Sequence, residues 1–374
     1  MVTLPDGILR GGFANRRINE QRGIKVANRR ISGIQMMGRV AFPVVLVAGL
    51  AVATSDAGAA VSPKAISAHG LANPTKALCK SGKTYKIGYE VFSSSQPFAV
   101  SVSKSLVSAA KAVGCASVIT EVDNMNGPQA IANVKTEINE GINLFVDFQV
   151  LQPYQQAIAN LLKAHHIPAV TIVGALLPGF PSLGLDPFNG EEKGMLAQTA
   201  YVKSKYPGVT PYFVGGAEPE SGAAVLLRYK GAVAGFKKAF PGAPANHIIE
   251  VDTNGTQSTA YSVAKQAASR IPAGSVVMTQ AVNDEDTAGV WQGVTAHGGF
   301  KAVTAESFGG DSYGMSQVCA NPKSYAGAWA LEPQTWGPTA LSLVMMQENG
   351  QKVPAATSIL GQQATKANGL AGCK

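Results

Sequence analysis

Short β-forming runs alternate with single helical segments along this chain, and halfway through the alternation starts again. Residues 85–92 (YKIGYEVF) read as a strand. Pro97 suits the first turn of the helix that follows. Phe98, Val102, Leu106, Ala109 and Val113 give that helix one apolar face, and Gly114 ends it. A strand at 116–122, a helix from Pro128 to Gly141, a strand at 144–148, a helix at 152–164 and a strand at 169–173 complete the first series. The second series has helices at 191–206, 223–240 and 257–270 and strands at 212–215, 247–251 and 276–279. It closes with strands at 302–307 and 328–331 and an apolar helix at 339–348. Single helices between successive strands make βαβ units and parallel sheets. A chain of 374 residues exceeds what one core usually serves. The expected architecture is therefore α/β, with two similar doubly wound lobes. A short echo supports duplication: Val122-Asp123-Asn124-Met125-Asn126-Gly127-Pro128-Gln129 against Val251-Asp252-Thr253-Asn254-Gly255-Thr256-Gln257, each opening a helix.

Net charge looks at first like a nucleic-acid signal, at +8, but it is unevenly placed. Residues 1–60 carry eight basic side chains against Asp6, Glu20 and Asp56, which leaves the rest at +3. That segment reads as a signal peptide with a long basic n-region. Arginines precede the apolar run VAFPVVLVAGLAVA at 40–53, and the small residues Ala57-Gly58-Ala59-Ala60 follow it. The run is shorter than the roughly 20 residues a membrane span needs. A secreted, periplasmic protein is the expectation. Its four cysteines, Cys79, Cys115, Cys319 and Cys373, form an even set with three possible pairings and no zinc-site spacing.

Residues 276–298 combine a strand, the polar knot Asn283-Asp284-Glu285 and a helix with Ala288, Trp291, Val294 and Thr295 at spacings of three and four. Asn283 is placed to cap that helix, and the acids after it lie where the helix dipole favours negative charge. In open α/β sheets, ligands bind beyond the carboxyl ends of the strands, where this knot falls.

From residue 85 onward the chain resembles the periplasmic sugar-binding proteins of the ribose-binding type, the substrate-binding family of ABC importers. Its Asn283-Asp284-Glu285 and its loop Gln96-Pro97-Phe98-Ala99 match that family's cleft segments. The resemblance implies a three-stranded hinge joining the lobes. Lobe 1 is expected at 84–184 plus 334–352 and lobe 2 at 185–333 plus 353–374, with crossings near 183–186, 331–334 and 350–355. It implies ligand contacts from Phe92, Ser94, Gln96, Phe98 and Asn283. Where the family has Asp-Arg this chain has Val173-Gly174, so Asp147 is the expected substitute acceptor. Arg228 stands for the family's helix arginine, the plain alternative being a solvated side chain. Asp311 in Phe308-Gly309-Gly310-Asp311 stands for a displaced acid, and Glu332 for a glutamine at the second crossing. Placing the cysteines by lobe pairs Cys79 with Cys115 and Cys319 with Cys373.

The implied function is binding without covalent chemistry. A small ligand, a sugar or sugar-like polyol, passes to the membrane subunits of an ABC importer, with no cofactor, no metal and no nucleic acid, from a monomer. Rival expectations are a sugar-sensing repressor, a chemoreceptor-linked sensor, or an enzyme on a similar scaffold. A repressor needs an N-terminal helix-turn-helix where this chain has its apolar run. Gly310-Asp311-Ser312-Tyr313-Gly314 fits G-x-S-x-G, yet no histidine follows Ser312. Gly82-Lys83-Thr84 lacks the first glycine of a P-loop, because Ala77 stands there. The adjacent His165-His166 cannot face one metal from one side of a helix.

Overall fold

The computed structural model describes residues 64–65, 74, 76–173 and 177–374. The expected signal segment at 1–60, and Gly174, lie outside the described residues.

Two sheets carry the alternation. The first is built from β1 (Lys64–Ala65), β2 (Tyr85–Val91), β3 (Ala116–Val122), β4 (Leu144–Phe148), β5 (Ala169–Ile172), β6 (Ser182–Gly184) and β12 (Ala356–Ser358). Its order is β1-β12-β6-β5-β4-β2-β3, with every neighbouring pair parallel. The second holds β7 (Tyr212–Ala217), β8 (Ile248–Asp252), β9 (Val276–Gln280), β10 (Ala302–Gly309), β11 (Tyr325–Ala330) and β13 (Gln362–Ala364). Its order is β13-β11-β10-β9-β7-β8, parallel except for the antiparallel β13. Both sheets contain the same core order, in which the second strand of the series lies outside the first and the third, fourth and fifth lie inside it. The chain therefore reverses direction between β2 and β4, and again between β7 and β9. Such switch points open a crevice at the carboxyl ends of the strands.

Helices α1 (Pro97–Val113), α2 (Gly127–Asn139), α3 (Gln152–Ala164) and α9 (Trp336–Glu348) serve the first sheet. Helices α4 (Pro187–Lys205), α5 (Ala223–Ala239), α6 (Gln257–Ala267), α7 (Asp284–His297) and α8 (Ser312–Ala320) serve the second. Proline stands at the first or second position of α1, α2, α3 and α4, where its missing N–H costs nothing. Parity along β4 shows how each sheet is sandwiched. Val146 and Phe148 pack with Leu106 of α1 and Val344 of α9, whereas Phe145 packs with Val134 of α2 and Ile158 of α3. In the second lobe Val277 packs with α6 and α7, and Met278 with α4 and α5. Helices α6 and α7 approach closely because Gly289 and Gly293 face the α6 backbone. A Cβ on either would lie 2.4 Å from Gln257 O or 2.3 Å from Tyr261 O.

The chain passes between lobes at 185–186, at 331–335 and at 359–361. The third passage comes later than the sequence implied. Ala356–Ser358 pairs in parallel with Ser182–Gly184, so residues up to 358 belong to the first sheet. The cysteines pair within lobes, Cys79 to Cys115 with Cα atoms 6.0 Å apart and Cys319 to Cys373 with 5.3 Å.

Candidate functional site

A cavity of about 370 Å³ lies between the lobes, at the carboxyl ends of both sheets. The first lobe contributes an aromatic wall. Phe92 and Phe148 meet edge to face with centroids 5.0 Å apart, and Phe98 meets Trp336 the same way at 5.2 Å. Trp336 is fully buried, and its indole Nε1 donates to Leu331 O in the hinge at 2.7 Å. The second lobe contributes most of the polar side chains: Glu218 and Ser221 after β7, Gln257 after β8, Asn283, Asp284 and Glu285 after β9, and Arg228 from α5.

Asn283 caps α7 as the sequence predicted, with Oδ1 accepting from Asp286 N at 2.7 Å. That leaves its amide nitrogen available to the cavity it lines. Gln96 does double duty on the other lobe. Its Oε1 caps α1 by accepting from Ala99 N at 2.8 Å. Its Nε2 reaches across the cleft to Glu285, 3.3 Å from Oε1 and 3.1 Å from Oε2, and lies 3.5 Å from Asp311 Oδ2. A second bridge between lobes runs from Ala223 N to Gln152 Oε1 at 3.2 Å.

Arg228 is turned into the cleft and is not a solvated helix arginine. Its Nη1 donates to Val282 O at 2.6 Å, and its guanidinium lies 5.5 Å from the centre of the Phe308 ring. Its Nε has no partner. Burial pulls its pKa down, opposed by the fields of Glu191, Glu218 and Asp284. The carboxyls respond in the opposite direction. Burial, with Asp311 close by, pushes Glu285 up to about 7. Burial, and then the same neighbour, carries Asp284 well above the usual carboxylate range. Burial pushes Asp286, which accepts from Thr253 Oγ1 at 2.5 Å, up to about 8. Burial raises Glu218 against the hydrogen bond it receives from Ser221.

Of the sequence candidates, Phe92, Gln96, Phe98, Arg228 and Asn283 line the cavity, as does Val173. Val173 adopts φ 50, an uncommon conformation for a β-branched residue. Ser94 is exposed and outside the cavity lining. Asp147 is displaced by strand parity. It lies on the α2 side of β4, accepting from Gln149 N at 3.2 Å, while Phe148, one residue on, lines the cavity. Asp311 stands behind the wall, where its Oδ1 caps α8 from Tyr313 N and Gly314 N at 2.8 and 2.9 Å and its own N–H donates to Asp284 Oδ2 at 2.9 Å. Glu332 is a hinge residue at φ 51 whose Oε1 accepts from Gln362 Nε2 at 3.0 Å. Sequence reasoning passed over Glu218, Ser221, Gln257, Phe148 and Phe308 as cavity residues. The polar loop 218–221 directly after β7 was the available signal for the first two. Among the described residues no group of His, Cys, Asp and Glu is arranged to hold a metal ion.

No protein-family profile matches the sequence, and no curated protein matches it. Solved structures do. A periplasmic solute-binding protein of an ABC transporter from Actinobacillus succinogenes 130z, with bound D-allose, is similar at 16% identity and TM-score 0.63, over 77% of this chain and 99% of that one. An ABC transporter solute-binding protein from Mycobacterium smegmatis, with bound glycerol, is similar at 20% and 0.62, over 76% and 95%. The Caulobacter myo-inositol binding protein, bound to myo-inositol, is similar at 17% and 0.62, over 79% and 98%. At these identities the likeness is one of fold.

Proposed function

We propose that this chain, which has the two-lobed fold of the type I periplasmic binding proteins, is a solute-binding protein that traps a small polar ligand between its lobes. The observation that carries this is the cavity at the facing carboxyl ends of two duplicated sheets, bridged from one lobe to the other by Gln96 and Glu285. A sugar or sugar-like polyol suits both walls. The aromatic side takes a ring's hydrocarbon face, and Asn283, Arg228 and the carboxyls take hydroxyls. D-allose, glycerol and myo-inositol in the structural neighbours agree with that class. Phe92, Gln96, Phe98, Arg228 and Asn283 are the proposed contacts, joined by Glu218, Asp284, Glu285 and Trp336. The protein works as a periplasmic monomer, exported by its N-terminal segment, and passes its ligand to the membrane subunits of an ABC importer. Hinge rotation closes the lobes, and no covalent step is assigned to the site.

Thermal-shift screening of sugars and polyols, followed by calorimetry, tests this. A ligand at 100 times its Kd stabilises by about 2.7 kcal/mol. A panel with no stabilising compound would argue against the function, as would binding that survives loss of the cleft side chains.

A further inference from the structure

We propose that the cleft selects a ligand carrying a protonated amine on a ring with a hydrocarbon face, the chemistry of amino sugars and aminocyclitols. This rests on the solute-binding function proposed above and narrows its ligand class.

Charge in the cleft is unbalanced. Glu218, Asp284 and Glu285 line the cavity, and Arg228 is the cation on its wall. Arg228 gives one donor to Val282 O, lies over the Phe308 ring and feels the fields of Glu218 and Asp284, so a single guanidinium charge serves three cavity carboxyls. The ion pairs found among the described residues, Lys83–Glu348 and Lys238–Glu192, include none of the three cavity acids.

Two of these acids are buried, and Glu218 keeps an oxygen with no donor from the protein. Asp284 is 1% exposed; its Oδ2 takes the Asp311 N–H, and its Oδ1 lies against Gly314 of α8 with the Ser307 hydroxyl beside the carboxyl. Glu218 is 6% exposed; its Oε1 takes the Ser221 hydroxyl, and its Oε2 receives nothing from the protein. Glu285 receives the neutral Gln96 amide and its own backbone N–H, and no cation. A buried carboxylate without a cation is costly, and the raised pKa values of all three acids express that cost. A hydroxyl brings one donor and no charge. An ammonium brings three donors and the missing charge, so it fits these carboxyls better. The opposite wall agrees, because Phe92, Phe98 and Trp336 line it, and aromatic rings both attract cations and cover C–H surface.

Calorimetry on the full chain with matched pairs decides the matter: D-glucosamine against D-glucose, D-galactosamine against D-galactose, D-mannosamine against D-mannose, and an aminocyclitol against myo-inositol. In at least one pair the amine should bind about tenfold tighter or more, the usual margin of a charged over a neutral hydrogen bond. The ratio within that pair should fall toward one in Glu285→Gln and in Glu218→Gln. Each variant's thermal midpoint is measured alongside, and the wild-type pairs stand even if a variant does not fold. No amine preference in any pair overturns the inference. If a neutral member binds in that case, the solute-binding function stands. If neither the pairs nor the wider sugar and polyol panel bind, both fall.

Discussion

Replacing Gln96 by glutamate isolates the contact that spans the cleft. The glutamate keeps an Oε1 to accept from Ala99 N, so the α1 cap survives, while the donor that reaches Glu285 becomes a carboxylate. Loss of a charge-assisted hydrogen bond is worth about 1.5–3 kcal/mol. The new carboxylate would sit about 3 Å from Glu285, and two full charges there would repel by about 5 kcal/mol at an effective dielectric of 20. Proton uptake limits that repulsion. Glu285 titrates at about 7, so protonating it at pH 8 costs one pK unit, about 1.4 kcal/mol. Once protonated, Glu285 donates to the new carboxylate in place of the lost bond, so the substitution should cost about 1.4 kcal/mol of inter-lobe contact at pH 8. At pH 6 that proton is already bound, and most of the loss is recovered. Small-angle scattering should show a larger radius of gyration for the variant than for wild type at pH 8. Ligand affinity by calorimetry should fall by about tenfold at pH 8 and by less than about threefold at pH 6. Equal losses at both pH values, or unchanged dimensions and affinity at pH 8, would refute the assignment of Gln96–Glu285 as the clasp.

Three further perturbations follow from the same geometry. Asn283→Ala should weaken ligand binding by about 1–3 kcal/mol and, through the lost α7 cap, lower stability by about 1 kcal/mol; Asn283→Asp keeps the cap acceptor, so calorimetry should find it defective in binding while urea unfolding finds it near wild type. Gly293→Ala should cost about 1–3 kcal/mol in urea unfolding, because its Cβ would meet Tyr261 O at 2.3 Å and helices must part to admit it; wild-type stability would contradict the packing. Burial raises Glu90 to about 10, Glu137 to about 8 and Asp147 to about 7, so the stability these groups support is complete below pH 4 and is lost as pH climbs through those values. The ligand-free thermal midpoint should accordingly fall between pH 5 and pH 9, and Glu137→Gln should flatten that decline; a midpoint that rises over the range would count against the buried acids.

Local chemistry was the legible part. Asn283 declared its role because capping needs only a short polar side chain before a helical run, and the strands of both lobes declared themselves by alternating with helices that begin at proline. Features set by tertiary placement were not legible. Asp147 and Phe148 differ by one position, and only the register of β4 in its sheet decides which of them reaches the cavity. β12 and β13 have three residues each, too few to show a period, so the third lobe crossing was misplaced. Arg228 reads as a surface arginine until α5 is seen to turn it toward Val282 O. Glu218 and Ser221 belong to no motif; they matter because β7 ends beside them.

Trp336 is one of three tryptophans, and it is both a wall of the cavity and a ligand of the hinge through Leu331 O. Trp291, by contrast, packs edge to face on Tyr325 with centroids 5.2 Å apart, and neither it nor Trp329 lines the cavity. The protein thus carries an intrinsic optical probe at the point where occupancy and lobe rotation meet. A ligand laid against that buried indole changes its quenching neighbours. Emission can then be followed in stopped flow without a label, with a fast phase for contact and a slower one for rotation of the lobes.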